Sequence, residues 1–305
     1  MPKVSVLLTC YNHLAYLPVA VESIRAQTMI DFEVICLDDG STDGTRDWLR
    51  ANCPDWHLEF NAQNLGTYGS LNRGLALANG EFIAILNDDD EWMPTKLEQQ
   101  LNLLAAEPRV GLVHTNGDFI GALGETLPGT PLGFDFPRSQ TDKGIIPLIY
   151  ANKIIASAVL VRRECFEQCG EFNPAYFGSG DWDMWLRIAE HWDIGFCNDK
   201  LTNYRWHENN ASKKLDRIWR DDQMLRERIL DQTGLYESMG LDEATLNLAL
   251  AHNWACLGTV RTLNGDPSGG RRAYKESLRR QPSRWRSRVR WLATYLPKGL
   301  FRRLL

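Results

Sequence analysis

Phe82-Ile83-Ala84-Ile85-Leu86-Asn87-Asp88-Asp89-Asp90-Glu91-Trp92 runs from an apolar stretch straight into four consecutive acids. The apolar part predicts a strand over 81–86. Four carboxylates at the end of such a strand repel one another and are costly to desolvate unless a cation joins them. Hard divalent ions such as Mg²⁺ take carboxylate oxygens and are commonly shared with phosphates. The bland alternative is a solvated acidic turn capping a helix that starts near Pro94. An EF-hand is excluded, because the stretch lacks the Gly at its sixth position and the Glu at its twelfth.

On either side of this stretch, strand patterns alternate with amphipathic helical ones. Strands are predicted at 4–9, 32–37, 57–60 and 110–115, and helices at 14–27, 43–51, 67–78 and 94–106, the last with Leu97, Leu101 and Leu104 at helical spacing. Such alternation implies an α/β fold with a mostly parallel sheet and helices on both faces. Residues 116–143, rich in Gly and Pro, predict a long loop. A strand at 156–161 and helices at 163–169 and 182–191 follow, and from Lys213 the pattern is helical to the end. The boundary expected there divides a domain of residues 1–212 from a helical region of 213–305.

Ligands of open parallel sheets bind at the carboxyl ends of the strands. The first strand ends in Thr9-Cys10-Tyr11-Asn12 and the second in Asp38-Asp39-Gly40-Ser41-Thr42-Asp43-Gly44-Thr45. A turn at Gly40 and a helix cap account for part of the second motif but leave two adjacent acids, one of which a nucleobase offering N–H donors would partner. Neither GxGxxG nor GxxxxGK[ST] is present, so dinucleotide and P-loop chemistry lose their main support.

The ordered set Thr9-x-Tyr11-Asn12, DDGSTDGT, NxG…NRGLxxAxGEFIAIL, NDDDEW and GDWDMWLR resembles the family 2 glycosyltransferases of the GT-A (nucleotide-diphospho-sugar transferase) fold, over residues 1 to about 212. The resemblance implies a mixed, mostly parallel sheet and an inverting transfer from a nucleotide-sugar donor to an acceptor hydroxyl, with Mg²⁺ or Mn²⁺ as cofactor. Position by position it implies that Thr9 and Tyr11 frame the base, that Asp39 hydrogen-bonds it, and that Asn64, Gly66 and Asn72 close over the nucleotide. Asn87 opens the acidic motif where the family has Asp; either register puts Asp89 on the metal, with Asp88 a ribose or outer-sphere partner. Asp181 matches the catalytic base, although Gly180 replaces the acid usual before it, and Leu71 stands where Arg is common. His207 matches a metal or diphosphate contact, and Arg205 pairs with the diphosphate or with a core acid. Asp183 reads as structural. A helix N-terminus at Asp181 would favour its anion.

A net charge of −5 hides a division. Residues 271–305 hold twelve Lys/Arg against Glu276, or +11, which leaves −16 on the first 270 residues. Arg284–Leu296 places Trp285, Val289, Leu292 and Leu296 on one stripe among arginines, which predicts either a membrane-interface helix on an anionic surface through residues 284–305 or a basic cover over the acidic body. Nucleic acid is not an expected partner. Asn253–Gly258, Tyr274 and Pro282 fit one tetratricopeptide-like unit, read as a helical hairpin. Seven scattered cysteines, no apolar run near 18 residues and no leader pattern at the start point to a cytoplasmic protein, peripheral on the cytoplasmic membrane face if the tail binds it. The expected acceptor is a saccharide or lipid-linked sugar of a bacterial-type surface polysaccharide or glycolipid. Two other functions compete: a non-catalytic nucleotide-sugar-binding or scaffold protein, and a nucleotidyltransferase, which would need a basic, Gly-rich phosphate loop after the first strand.

Overall fold

The computed structural model describes residues 1–129, 131 and 144–303. Most of the second half of the predicted 116–143 loop lies outside the described residues. Two compact units emerge: Met1–Ile145 with Lys153–Asn210, and Ile146–Asn152 with Ala211–Leu305.

The first unit is built on a sheet of eight strands in the order β3-β2-β1-β4-β7-β6-β8-β5. β1 (Val4–Cys10), β2 (Phe32–Asp38), β3 (His57–Phe60) and β4 (Phe82–Asn87) form its parallel half. β1 is buried along its whole length, as a central strand covered on both faces must be. Helices α1 (Leu17–Arg25), α2 (Thr45–Asn52) and α3 (Gly66–Leu77) make the crossovers. The chain leaves β1 toward β2 and β3, then returns to place β4 on the other side, so the strand order switches direction at β1. Register puts Thr9 opposite both Leu37 and Asn87, and Cys10 opposite Asp38. Both acidic motifs therefore flank the end of β1 at one edge, the place where open sheets of this type bind ligands.

The remaining strands are β5 (Glu91–Trp92), β6 (Val110–Ile120), β7 (Leu160–Arg162) and β8 (Asp193–Arg205). β7 lies antiparallel to β4 and β6, β6 runs parallel to β8, and β5 pairs antiparallel with β8. The sheet is mixed but mostly parallel. Helix α4 (Lys96–Ala106) follows the acidic motif, and α6 (Arg163–Cys169) and α7 (Gly180–Ala189) frame the sheet's second half.

Three expectations are corrected here. The strand predicted to stop at 115 continues to Ile120, because Gly117 and Asp118 pair with Thr202 and Asn203 of β8. β8 itself escaped prediction. Its partner Thr115 pairs with Cys197 and Asn116 with Lys200, so Asn198 and Asp199 bulge out of a continuous ladder. The strand expected at 156–161 begins as a single 3₁₀ turn, Ala156–Ala158, with strand geometry from Leu160.

The second unit comprises α5 (Ile146–Tyr150), α8 (Leu215–Asp231), α9 (Thr233–Ser238), α10 (Glu243–Leu263), α11 (Pro267–Arg280), α12 (Trp285–Ala293) and α13 (Lys298–Arg302). α5 is a five-residue helix that the sequence did not announce; Asn253 of α10 donates to its Ile149 carbonyl. α10 and α11 form the expected hairpin: Gly258 lies so close to the Tyr274 ring that a Cβ there would sit 2.9 Å from it, and Tyr274 Oη meets Thr259 Oγ1 at 2.8 Å. Among the described residues, no helix is long and apolar enough to cross a membrane.

Candidate active site

The four acids after β4 meet four different fates. Asp88 is buried and accepts from the Tyr11 amide and from His13 Nδ1, both at 2.9 Å. Asp90, also buried, accepts from Ser157 Oγ at 2.5 Å and from the Arg205 amide at 2.9 Å. The 3₁₀ turn at Ala156–Ala158 is what brings Ser157 under this loop. Glu91 accepts from Asn203 Nδ2 and faces Arg205 Nη2. Asp89 has its Oδ2 2.9 Å from His207 Nε2 and within reach of Asn210 Nδ2. The cost of four clustered carboxylates is thus met mostly by the protein's own donors, and Asp89 remains as the candidate ligand.

Burial raises the Asp88 and Asp90 carboxyls above the usual range, Asp90 well above, and the charge of Asp89 adds to both. For His13, burial alone would lower the ring, but the hydrogen bond and charge of Asp88, with Asp89 and Asp43 behind it, raise it to about 9. The two partners of this pair both move upward. The 2.9 Å contact with the Asp88 carboxylate is the cause of the upward direction for His13.

The acids after β2 serve the fold. Asp38 is fully buried against Arg46 Nε at 2.6 Å. Asp39 accepts from the Leu65 amide at 2.7 Å, the Gly66 amide at 2.9 Å and Asn61 Nδ2 at 2.9 Å. It thereby caps α3 from a neighbouring loop, meeting the orphan N–H groups and positive end of that helix. Gly40 permits the approach: its φ is +85°, and a Cβ would press on the Asn64 amide nitrogen at 3.2 Å. Asn64 donates weakly to the Asp39 carbonyl at 3.3 Å. Asn12, at φ +55°, locks the end of β1 onto the same loop by accepting from the Thr42 amide and donating its own to Ser41 Oγ. Thr9 Oγ1 bonds Asn87 Oδ1 at 2.9 Å, and the Tyr11 ring is exposed beside them.

Asp181 lies in the first turn of α7, where its Oδ1 accepts from the Trp182 amide at 2.7 Å and faces Tyr68 Oη at 3.4 Å. Tyr68 of α3 is buried and stacks on Phe172. A Cβ on Gly180 would fall 2.8 Å from the Tyr68 ring, which accounts for glycine where the resemblance led one to expect an acid. Asp183 pairs with Arg187 at 3.0 Å.

Two residues expected at the donor are engaged elsewhere. Asn72 clasps the backbone of Phe172, donating to its carbonyl at 2.8 Å and accepting from its amide at 2.9 Å. Arg205 is buried, donates to the carbonyls of Asp89 and Gly121, and lies over the Tyr16 ring at 5.2 Å. Both brace loops of the site, and of the two partners expected for Arg205 the acid is the one found. Conversely, His13 and Tyr68 had no signal of their own in the sequence. His13 joins Asp89 and His207 in a group whose donor atoms all lie within 4.8 Å of one another.

Residues 5–167 match Glycosyl transferase family 2. The chain belongs to that family. Among relatives, TuaG of Bacillus subtilis, named for teichuronic acid biosynthesis, is 37% identical over 69% of this chain and 82% of its own length. An uncharacterised glycosyltransferase of Nostoc is 32% identical over 68% of this chain and 66% of its own. One from Rickettsia felis is 28% identical over 70% of this chain but 36% of its own length, so the chain matches little more than a third of that relative. In three dimensions, S. aureus TarS 1–349, solved with UDP-GlcNAc, superposes with a TM-score of 0.68 at 16% identity, covering 99% of this chain and 90% of that one. A Pyrobaculum calidifontis mannosyltransferase in complex with GDP-Man and Mn²⁺ gives 0.57 at 18%, covering 99% and 85%. At such identities the likeness shows the fold, which is GT-A followed by a helical region.

The family match ends at residue 167, before Asp181 and His207. Those two reach the site through α7 and the end of β8, and β8 is placed by its long pairing with β6.

Proposed function

We propose that this chain is an inverting, metal-dependent glycosyltransferase that moves a sugar from a nucleotide-diphosphate sugar to an acceptor hydroxyl, in the synthesis of a bacterial surface polysaccharide or glycolipid. The observation that carries the proposal is the gathering of Asp89 with His207, 2.9 Å apart, in a cluster with His13 whose donor atoms all lie within 4.8 Å of one another. Carboxylate and imidazole together suit a divalent ion, Mg²⁺ or Mn²⁺. An ion bound there would neutralise the charge that grows on the departing nucleoside diphosphate. The donor itself would lie along the ends of β1, β2 and β4, with Thr9, Tyr11, Asp39, Asn64 and Gly66 nearest its base.

In the reaction, Asp181 takes the proton of the acceptor hydroxyl as that oxygen bonds to the anomeric carbon. The bond from carbon to phosphate oxygen breaks on the opposite face, its electron pair leaves with the diphosphate, and the configuration inverts. The α7 N-terminus favours the carboxylate that this step requires, and Tyr68 Oη lies 3.4 Å from one of its oxygens. General-base help of this kind contributes ~10²–10⁴-fold.

Residues 1–212 carry this chemistry on the proposal, and residues 284–305 bring it to an anionic membrane surface where a lipid-linked acceptor would be presented. Teichuronic acid synthesis in the TuaG name and UDP-GlcNAc in the TarS complex support a surface-polymer role and a nucleotide-sugar donor. The test is a panel of UDP- and GDP-sugars, with and without Mn²⁺ or Mg²⁺, scored for hydrolysis and transfer. Metal-stimulated turnover of one donor is expected. Nucleotide binding without turnover of any donor would replace the enzyme with a non-catalytic nucleotide-sugar-binding protein.

A further inference from the structure

We propose that His13 is a third protein ligand of the ion at Asp89, giving a site of two imidazoles and one carboxylate that prefers Mn²⁺ and Co²⁺ to Mg²⁺. The inference rests on the metal-dependent function above and adds to it the identity of the ion.

His13, Asp89 and His207 each bring one donor atom within 4.8 Å of the others, and donors around a single ion with bonds of ~2.1 Å span on the order of 4 Å. The two rings meet edge to face, with centroids 4.9 Å apart at 85°, so their ring atoms converge on a shared space without stacking. Tyr16 packs on His207 at 4.7 Å and walls that space on one side.

Asp88 decides which nitrogen His13 offers. Its Oδ1 holds His13 Nδ1 at 2.9 Å and its Oδ2 is held by the Tyr11 amide, so the carboxylate is fixed from both sides. With Nδ1 carrying the proton toward Asp88, Nε2 is the nitrogen left to bind. A carboxylate orienting an imidazole in this way is the usual outer-sphere partner of a metal-bound histidine. It follows that Asp88 is diverted from the ion, and a run of four acids supplies it with one carboxylate.

The backbone under His13 is fixed as well. Asn12 is clamped to Ser41 and Thr42, and the Leu14 amide donates to Asp43 Oδ2 at 2.9 Å. The DGSTD turn after β2 thus holds both neighbours of His13. Hard Mg²⁺ prefers oxygen ligands and keeps its waters, whereas imidazole nitrogen suits first-row transition ions, with affinity rising from Mn²⁺ to Co²⁺. Replacing a second carboxylate with a second imidazole shifts preference in that direction.

Calorimetric titration of the metal-free full chain with each ion alone, followed by pulsed EPR of the Mn²⁺ form, tests this. Wild type should bind Mn²⁺ at least about ten-fold more tightly than Mg²⁺ and show two coordinated nitrogens. His13→Gln keeps a side-chain donor for Asp88 but removes the ring; it should weaken Mn²⁺ binding roughly ten-fold or more, leave Mg²⁺ within about three-fold, and show one nitrogen. Should that variant fail to fold, the nitrogen count of wild type decides. One nitrogen in wild type, or unchanged affinities in folded His13→Gln while Asp89→Ala abolishes binding, overturns the role of His13 alone. Ion binding that survives Asp89→Ala overturns the metal site and the function built on it.

Discussion

In the sheet unit, charge at the strand ends is turned inward: Asp38 against Arg46, Asp39 onto the start of α3, Asp90 under Ser157 and the Arg205 amide. In the helical unit it is turned outward. α12 sets Arg286, Arg288 and Arg290 around an apolar stripe in which Trp285 is 64% and Leu292 61% exposed. An inward charge answered by the chain's own donors positions other groups, and its loss is a loss of fold. A charge facing solvent, or gathered with imidazoles as Asp89 is, is available to something that is not part of the chain. The first kind dominates the sequence signal of the DDGSTDGT loop, and the second marks Asp89 and the tail.

The sharpest test of that contrast sets Asp181 against Asp183, two residues apart on α7. Asp181→Asn should cut kcat by ~10²–10⁴ with donor affinity preserved, because a general base acts in the transition state. Asp183→Asn, which breaks the pair with Arg187, should lower the melting temperature and leave the rate per folded molecule near wild type. Calorimetry with the nucleoside diphosphate separates the two, and loss of binding in Asp181→Asn would assign that carboxylate to the donor or the fold.

The same contrast holds between strand ends. Asp89→Ala should remove Mn²⁺- or Mg²⁺-stimulated turnover while the protein unfolds as wild type does. Asp38→Ala leaves Arg46 without its partner and should cost about 3 kcal/mol, the lower end for a broken buried pair because Arg46 is partly exposed. Denaturant melts give both numbers, and equal melts for the two variants would erase the distinction.

These two loops also show what a sequence can reveal. β1, β2 and β4 are continuous apolar runs and were legible, as was α6, predicted at 163–169 and found as Arg163–Cys169. β8 was not, since Asn198-Asp199-Lys200 reads as a turn and only its neighbour β6 keeps the strand continuous across that bulge. At the site, acids and a histidine in known motifs stood out, but their partners did not. His13 is a lone histidine after Asn12, and only the register of β1 on β4 carries it to Asp88. Tyr68 lies 113 positions from Asp181 and meets it because α3 packs where Gly180 leaves room. Asn72 and Arg205 show the opposite: their motif positions imply donor contact, while what the structure adds is their hold on the chain itself, Asn72 on the Phe172 backbone and Arg205 on Glu91 and the carbonyls of Asp89 and Gly121.

A buried histidine should also make the helical unit sensitive to acid. His252 stacks on Tyr150 at 4.3 Å, and burial, then Arg226, Arg284 and Arg290, lower its ring to about 4. Unfolded, the ring titrates near ~6.5. Between those values the unfolded chain binds a proton that the folded one refuses, so this contribution is present above pH ~6.5 and is lost as pH falls toward 4. The loss should be on the order of 2–3 kcal/mol. Thermal melts across this range should show a shallower slope for His252→Gln; an unchanged slope would mean that burial and the arginines do not hold the ring down.

The smallest effect expected is on where the chain sits. An anionic leaflet is worth ~1 kcal/mol per nearby Lys/Arg, so four or five tail arginines at the headgroups already favour the surface by several kcal/mol. Trp285, Val289 and Leu292 add apolar contact from one face of α12, with Tyr295 and Leu296 exposed just beyond it. Truncation before α12 is a poor test, because Ala293 and Phe301 pack with Leu263 and Trp219 in the unit's own core. Substitution on the exposed face leaves that core intact. Leu292→Ser should weaken co-sedimentation with anionic liposomes by about ten-fold, a little over 1 kcal/mol, since an interface buries one leucine only in part. Arg286→Gln with Arg288→Gln should weaken it further, and added salt should abolish the difference between wild type and the arginine double variant but not the effect of Leu292. If wild type fails to sediment with anionic vesicles, or sediments equally with neutral ones, the stripe belongs to something other than a charged membrane and the proposed lipid-linked acceptor loses its support.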